Sequence, residues 1–216
     1  MTDPPLLLGH RGARAFLRAQ ENTPACFDLA LDHGCDGFEF DVRLTACGRA
    51  VICHNASVKG ISVAKAGCTQ LKSFFLLEEV LARYATRAFL DIELKVPGLE
   101  SQLLVALREH PPQRGYVVSS FLPEVLSQLR IRSASLPLGI ICDQKKQLDH
   151  WRELPVEYVV LHRSLITRRL VEAIHKAGKM LFAWTVNDKP SMLRLADWKV
   201  DGIISDQTER LAQTLG

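Results

Sequence analysis

The chain has 216 residues, 47% of them apolar and 24% charged, with a formal net charge of +3. That balance belongs to an ordinary globular chain and excludes general disorder, and the scattered Lys and Arg residues leave no nucleic-acid footprint. No apolar run approaches the roughly 18–20 residues of a membrane-crossing helix, and the start MTDPPLLLGH lacks the basic and long apolar parts of a secretory leader.

In chain order, residues 6–9 read as a first strand that runs into His10-Arg11-Gly12. Thr23 then caps a helix opened by Pro24 and closed by Gly34, with Phe27, Ala30 and Leu31 at helical spacing. Residues 37–43, GFEFDVR, alternate with the period of two that marks a strand. Residues 49–54 follow so closely that they fold back as a hairpin arm. A helix over 76–84, a strand over 88–95 and a helix over 99–110 come next, followed by a strand over 116–120 and a helix over 124–130. Strands over 138–142 and 158–161 precede a helix capped by Thr167, carrying Leu170, Val171 and Ile174 and ending at Gly178. A strand over 180–186, a helix over 190–198 and a strand over 202–205 complete the set.

Apolar strands alternating with helices predict a parallel sheet covered by helices. The eight repeats favour a closed (β/α)8 TIM barrel, with a doubly wound open sheet as the structural competitor. No linker or composition break interrupts the chain, so residues 1–216 are expected to form a single domain. The six cysteines, Cys26, Cys35, Cys47, Cys53, Cys68 and Cys142, include no CxxC pair. They read as free buried thiols of a cytoplasmic protein, and no Cys/His grouping has zinc-ligand spacing.

The second strand sets the functional question. Phe38, Phe40 and Val42 face the helices, so Glu39 and Asp41 both point into the lumen, about 6–7 Å apart along the strand. The strand over 88–95 repeats the pattern with Asp91, Glu93 and Lys95 on one face. Isolated carboxylates in a dry lumen are very costly. At the mouth, where barrel strands end in catalytic loops, a divalent cation neutralises them. Glu39, Asp41 and Glu93 offer hard oxygen ligands suited to Mg²⁺ or Ca²⁺. The competing reading pairs these acids with Arg11, Arg43 and Lys95 in a structural ion network. His10 ends the first strand and His54 the hairpin arm, and two imidazoles beside a bound anion serve as general base and general acid. Arg11 and Lys95 supply fixed charge for a phosphate group. His33, His110, His150 and His175 read as structural, and His162 is open.

These residues, with Glu21-Asn22-Thr23, Thr45 and Val51-Ile52-Cys53-His54, resemble the N-terminal signature of the glycerophosphodiester phosphodiesterases. Ser119-Ser120-Phe121, Trp184-Thr185-Val186-Asn187 and the run from Asp201 to Asp206 are similar to the later blocks of that family, in order. The resemblance implies a TIM barrel that uses one divalent ion, with Mn²⁺ a third option, to cleave glycerophosphodiesters to an alcohol and glycerol 3-phosphate. It implies Glu39, Asp41 and Glu93 as metal ligands, His10 and His54 as the acid–base pair, and Arg11 and Lys95 on phosphate oxygens. Glu21 would orient the site loop or its water, and attack by the glycerol 2-hydroxyl would give a cyclic phosphate. Trp184, near the mouth, packs against the glycerol or serves only as core.

Two departures stand out: Asn55 follows the second histidine where the family has Asp, and Ala46-Cys47-Gly48 replaces the usual Asp-Gly turn. The segment from Asn55 to about Phe75 is shorter than the family's insertion. Phe74, Phe75, Leu76 and Leu77 beside it raise a second reading, a lysophospholipid phosphodiesterase with an acyl groove. A barrel that binds phosphodiesters without cleaving them is a third.

Overall fold

The structure is a computed structural model that describes residues 4–16, 18–71, 74–149 and 151–216. Its strands are β1 (Leu6–His10), β2 (Gly37–Leu44), β3 (Ala50–Ile52), β4 (Ser57–Val58), β5 (Ile61–Ser62), β6 (Phe89–Leu94), β7 (Tyr116–Ser120), β8 (Leu138–Cys142), β9 (Tyr158–His162), β10 (Met180–Trp184) and β11 (Gly202–Ser205). Its helices are α1 (Pro24–Asp32), α2 (Leu77–Tyr84), α3 (Glu100–Glu109), α4 (Pro123–Arg132), α5 (Arg168–Lys176), α6 (Lys189–Asp197) and α7 (Thr208–Leu215). Strand β1 pairs in parallel with both β2 and β11, and the parallel order β2-β6-β7-β8-β9-β10-β11 closes the ring. The closed barrel is therefore present, and the open-sheet alternative is excluded. Strand β3 returns antiparallel on β2, the expected hairpin arm.

The helix starts follow their caps. Thr23 accepts from the Cys26 amide and Thr167 from the Leu170 amide, each satisfying a donor that the first helical turn leaves without a partner. The terminal helix α7 was not foreseen. Among the described residues no α-helix lies between β8 and β9; a short 3₁₀ turn (Lys145–Asp149) stands there, with Trp151 fully buried behind it.

Two apolar layers enclose the sheet. Outside it, Phe27 stacks on Phe38 with centroids 4.1 Å apart, and Tyr84 meets Phe38 edge-on at 5.0 Å. Inside, Leu8, Phe89, Val117, Ile141, Tyr158, Val160, Phe182 and Ile204 fill the lumen. The barrel is thus a packed core topped by polar groups, not a pore.

One cysteine expectation is overturned. Cys47 and Cys68 form a disulfide with Cα atoms 5.7 Å apart, tying the β2–β3 turn to the segment before α2, while Cys26, Cys35, Cys53 and Cys142 are free and buried. Partners separated by 21 residues, one in a turn and one in an irregular insertion, carry no local pattern to betray them. The cysteine argument for a reducing cytoplasm loses its support with this bridge. No helix among the described residues is long and apolar enough to cross a membrane.

Candidate functional site

Strand register builds the site. In the parallel ladders His10 lies beside Glu39, Glu39 beside Asp91, and Asp41 beside Glu93. Neighbouring strands are about 4.8 Å apart, so carboxylates on adjacent strands of one face must meet. One ligand oxygen from each of Glu39, Asp41 and Glu93 lies within 4.8 Å of the others, and all three residues are buried.

The basic residues flank this trio. Lys95 Nζ approaches Glu93 Oε1 at 2.6 Å and Asp41 Oδ1 at 3.4 Å, and Arg11 Nε lies 3.2 Å from Asp41 Oδ2. These are ion pairs without hydrogen-bond alignment, since Asp41 Oδ1, Glu93 Oε1 and Arg11 Nε have no hydrogen-bond partner among the described residues. Glu39 Oε1 likewise has no hydrogen-bond partner among the described residues. The ion-network reading is therefore half right. Lys95 takes one side of the trio, yet three buried carboxylates exceed the two cations beside them, and Glu39 keeps a buried oxygen without a hydrogen bond among the described residues. That donor set fits a hard divalent cation.

Electrostatics follow the same geometry. Burial, then the neighbouring Asp41, Glu93 and Asp91, pushes the Glu39 carboxyl well above the usual range. Burial and Asp41 push Glu93 up to about 7 against the pull of Lys95. Burial acts on Asp41 too, but Lys95, Arg11 and the Asn22 amide outweigh it and hold that carboxyl low. Asp91 sits one layer deeper, accepts from Ser119 Oγ at 2.5 Å, and is pushed by burial up to about 7.

The first loop is shaped around Glu39 and Asp41. Arg11 and Asn22 both adopt left-handed backbone, at φ 53° and 59°, and the Asn22 amide donates to the Arg11 carbonyl at 3.1 Å. Gly12, at φ 84°, passes so close to α1 that a Cβ would stand 2.6 Å from the Cys26 backbone. The turn presents the Arg11 amide to Glu39 Oε2 at 3.0 Å and brings Asn22 Nδ2 to Asp41 Oδ2 at 2.8 Å. Non-glycine residues in this region persist only where surrounding contacts hold them. Glu21 does not reach the carboxylates; it binds Arg11 Nη1 at 3.0 Å and Arg14 Nε at 2.6 Å.

The two histidines line one cavity of about 140 Å³ with Glu39, Glu93, Lys95 and Trp184. His10 Nδ1 is 2.7 Å from Asp206 Oδ1, and its Nε2 is 3.9 Å from Glu39 Oε2. Asn187 donates to Asp206 Oδ2 at 2.8 Å and accepts from the Asp206 amide and from Ser205. Burial works against it, but the His10 hydrogen bond and Asn187 bring the Asp206 carboxyl down to about 2. His54 Nδ1 lies 3.0 Å from Asn55 Oδ1, an acceptor that selects the Nδ1–H tautomer. Burial lowers the His54 pKa, against the raising effect of Asn55. Trp184 meets Phe121 and His162 edge-on at the mouth, with its buried indole N–H unpartnered among the described residues.

Sequence reasoning assigned no role to Asp206, Asn187, Asn22 or Arg14. Asp206 and Asn187 follow β11 and β10 at the catalytic end, so the strand-end rule alone points to them. His33 bonds to Thr208 and His175 to Asp201, as structural histidines do, and His110 caps α3. His150 lies outside the described residues. Leu77 is buried in the core at the start of α2 and lines no groove, while Phe74 and Phe75 line a second cleft next to His54.

The sequence profile described as the Glycerophosphoryl diester phosphodiesterase family matches residues 10–94 and 95–210, spanning both histidines, the carboxylate trio and Asp206. The chain belongs to this family. A glycerophosphodiester phosphodiesterase of Caldanaerobacter subterraneus subsp. tengcongensis is 32% identical over 95% of this chain and 96% of its own length. One of Bacillus altitudinis is 27% identical over 94% and 95%. Among solved structures, an Oleispira antarctica phosphodiesterase in complex with the product sn-glycerol-3-phosphate superposes with a TM-score of 0.85, at 24% identity over 98% of this chain and 96% of that one. A Thermotoga maritima glycerophosphodiester phosphodiesterase gives 0.83 at 24% over 99% of both. At that identity the structural likeness speaks for the barrel alone. The sequence matches cover the chain almost end to end, so the glycerophosphodiester phosphodiesterase reading of the signature blocks stands.

Proposed function

We propose that residues 1–216 act as one catalytic barrel that hydrolyses glycerophosphodiesters to an alcohol and glycerol 3-phosphate with one divalent cation. The observation that carries this is the convergence of three buried carboxylates from two adjacent strands on a cavity that also holds two imidazoles. Glu39, Asp41 and Glu93 would hold the ion, Mg²⁺ or Ca²⁺ with Mn²⁺ as a third option, and the buried Glu39 Oε1, without a hydrogen-bond partner among the described residues, supports that ligand set. A bound divalent ion supplies charge neutralisation for the phosphate oxygens.

The chain's own groups do the rest. Lys95, on the cavity wall beside Glu93, adds positive charge toward a phosphate. Arg11 reaches the same cavity but is committed to Glu21 and Asp41, so it works first by fixing the loop. His10 is held by Asp206 with Nδ1–H outward and the Nε2 lone pair toward the cavity, the form that accepts a proton from the attacking hydroxyl. His54 has an amide partner instead of a carboxylate and a lowered pKa, which makes its protonated form the better proton donor to the leaving oxygen. Attack by the glycerol 2-hydroxyl forms a P–O bond as the alcohol leaves with the His54 proton. Water then opens the cyclic phosphate and the two histidines exchange roles. Trp184 closes the apolar side of the cavity, where the glycerol carbons pack.

The test is release of glycerol 3-phosphate from a panel of glycerophosphodiesters with Mg²⁺, Ca²⁺ or Mn²⁺. Turnover that vanishes with chelator is expected; no turnover on any diester with any of the three ions rejects the reading.

A further inference from the structure

His54 stands on the wall between two hollows. On one side is the 140 Å³ cavity of the carboxylate trio. On the other is a cleft of about 320 Å³, bounded by Gln20 and Glu21 of the first loop, Asn55 and Lys59 of the insertion, and Phe74 and Phe75 ahead of α2. We infer that this cleft is the leaving-group subsite, and that it selects a neutral polyol head group over a quaternary ammonium one. The inference rests on the hydrolytic reading above, because it takes His54 as the donor to the leaving oxygen.

The placement follows from the shared histidine. An oxygen protonated by His54 must lie against its ring, and the smaller cavity is taken up by the groups that hold phosphate and glycerol. The alcohol therefore leaves on the far side, into the larger hollow.

The selectivity follows from charge. Among the described residues Glu21 is the one carboxylate lining the cleft, and it is shared between Arg11 and Arg14. Those two cations hold it ionised, its carboxyl lowered by them although burial acts the other way. Lys59 is exposed at the cleft and forms no ion pair among the described residues. With Glu21 paired, the charge of Lys59 is the unpaired one among the described residues that line the cleft. Aromatic faces such as Phe74 and Phe75 attract cations when no like charge stands near, but here a lysine does, and a permanent cation cannot shed its charge. The same rings pack against the C–H face of a polyol, and the side-chain amides of Gln20 and Asn55 can both donate to and accept from its hydroxyls.

The experiment compares kcat/KM for glycerophosphoinositol and glycerophosphocholine in the native protein and in Lys59→Glu. Lys59 is exposed and outside the catalytic machinery, so the exchange leaves the barrel intact. The native protein is expected to favour the inositol diester by roughly fivefold to tenfold, the scale of one like-charge contact screened by water, as at an exposed lysine. Lys59→Glu is expected to reverse that order, with Lys59→Gln between the two, while inhibition by glycerol 3-phosphate stays unchanged because the product occupies the other cavity. A native preference for the choline diester, or a ratio identical in all three proteins, overturns the inference and leaves the hydrolytic reading standing. Absence of turnover on both diesters, with any of the three metals, overturns both.

Discussion

The two sides of the mouth are built differently. On the β1–β11 side, His10 is buried and gripped by Asp206, which Asn187 holds while accepting in turn from Ser205. On the hairpin side, His54 is half-buried, has only Asn55 as a side-chain hydrogen-bond partner among the described residues, and borders an insertion tied back by the Cys47–Cys68 bridge. Strand ends fix the first side, since parallel register leaves little freedom in where His10, Glu39 and Glu93 fall. Loops make the second side, where sequence change costs the fold least. The contrast teaches a division of labour. On the proposed reading, the carboxylates and His10 are anchored on strands, and head-group choice falls to the insertion beside His54.

Removing either histidine is the severest way to test this division. His10→Ala and His54→Ala are each expected to lower kcat by about 10²–10⁴, the usual scale of general acid–base catalysis, with an unchanged circular dichroism spectrum. An unfolded variant would move that histidine to a structural role.

Exchanging the partners is a finer probe. Asp206→Asn is expected to lower kcat by roughly 10–100-fold with little change in KM, the scale seen when a group supporting an active-site ligand is lost. Asn55→Asp gives His54 a carboxylate as well. It is expected to change kcat by less than about tenfold and to raise the pH of the kcat profile limb that reports His54. Equal effects at the two positions would erase the distinction between the sides.

The smallest effect is on stability. Asp91 and Glu93 have carboxyls raised to about 7 in the folded chain, so folding favours their protonated forms. The stability they contribute is fully present below their unfolded pKa values, near 4, and is lost as pH rises through about 7. Chelated protein should therefore melt at lower temperature at pH 8 than at pH 5, and Asp91→Asn should flatten that slope. A Tm that rises over this interval would contradict the electrostatics.

How much was legible follows the same division. Leu138–Cys142 and Tyr116–Ser120 appear with the bounds read from the sequence, because apolar β-branched runs flanked by turn residues leave few alternatives. The alternation of Phe38, Phe40 and Val42 with Glu39 and Asp41 already placed the acids in the lumen, and register did the rest. Residues 143–157 were assigned no element, and nothing in them announces the 3₁₀ turn and the buried Trp151 that stand there. Nor did the cysteines reveal their pairing, which depends on the path of an irregular insertion. Arg11 lines the cavity as a phosphate role requires, but its pairing with Glu21 and Asp41 was not legible, because it depends on a left-handed turn no pattern announces.

The direct test of the carboxylate centre is calorimetric titration of Mn²⁺ into chelator-treated protein and into Glu39→Gln. One site per chain in the native protein, weakened by at least about tenfold in the variant, is the expected result. Binding of equal strength in both proteins, or no binding to the native chain, would contradict it.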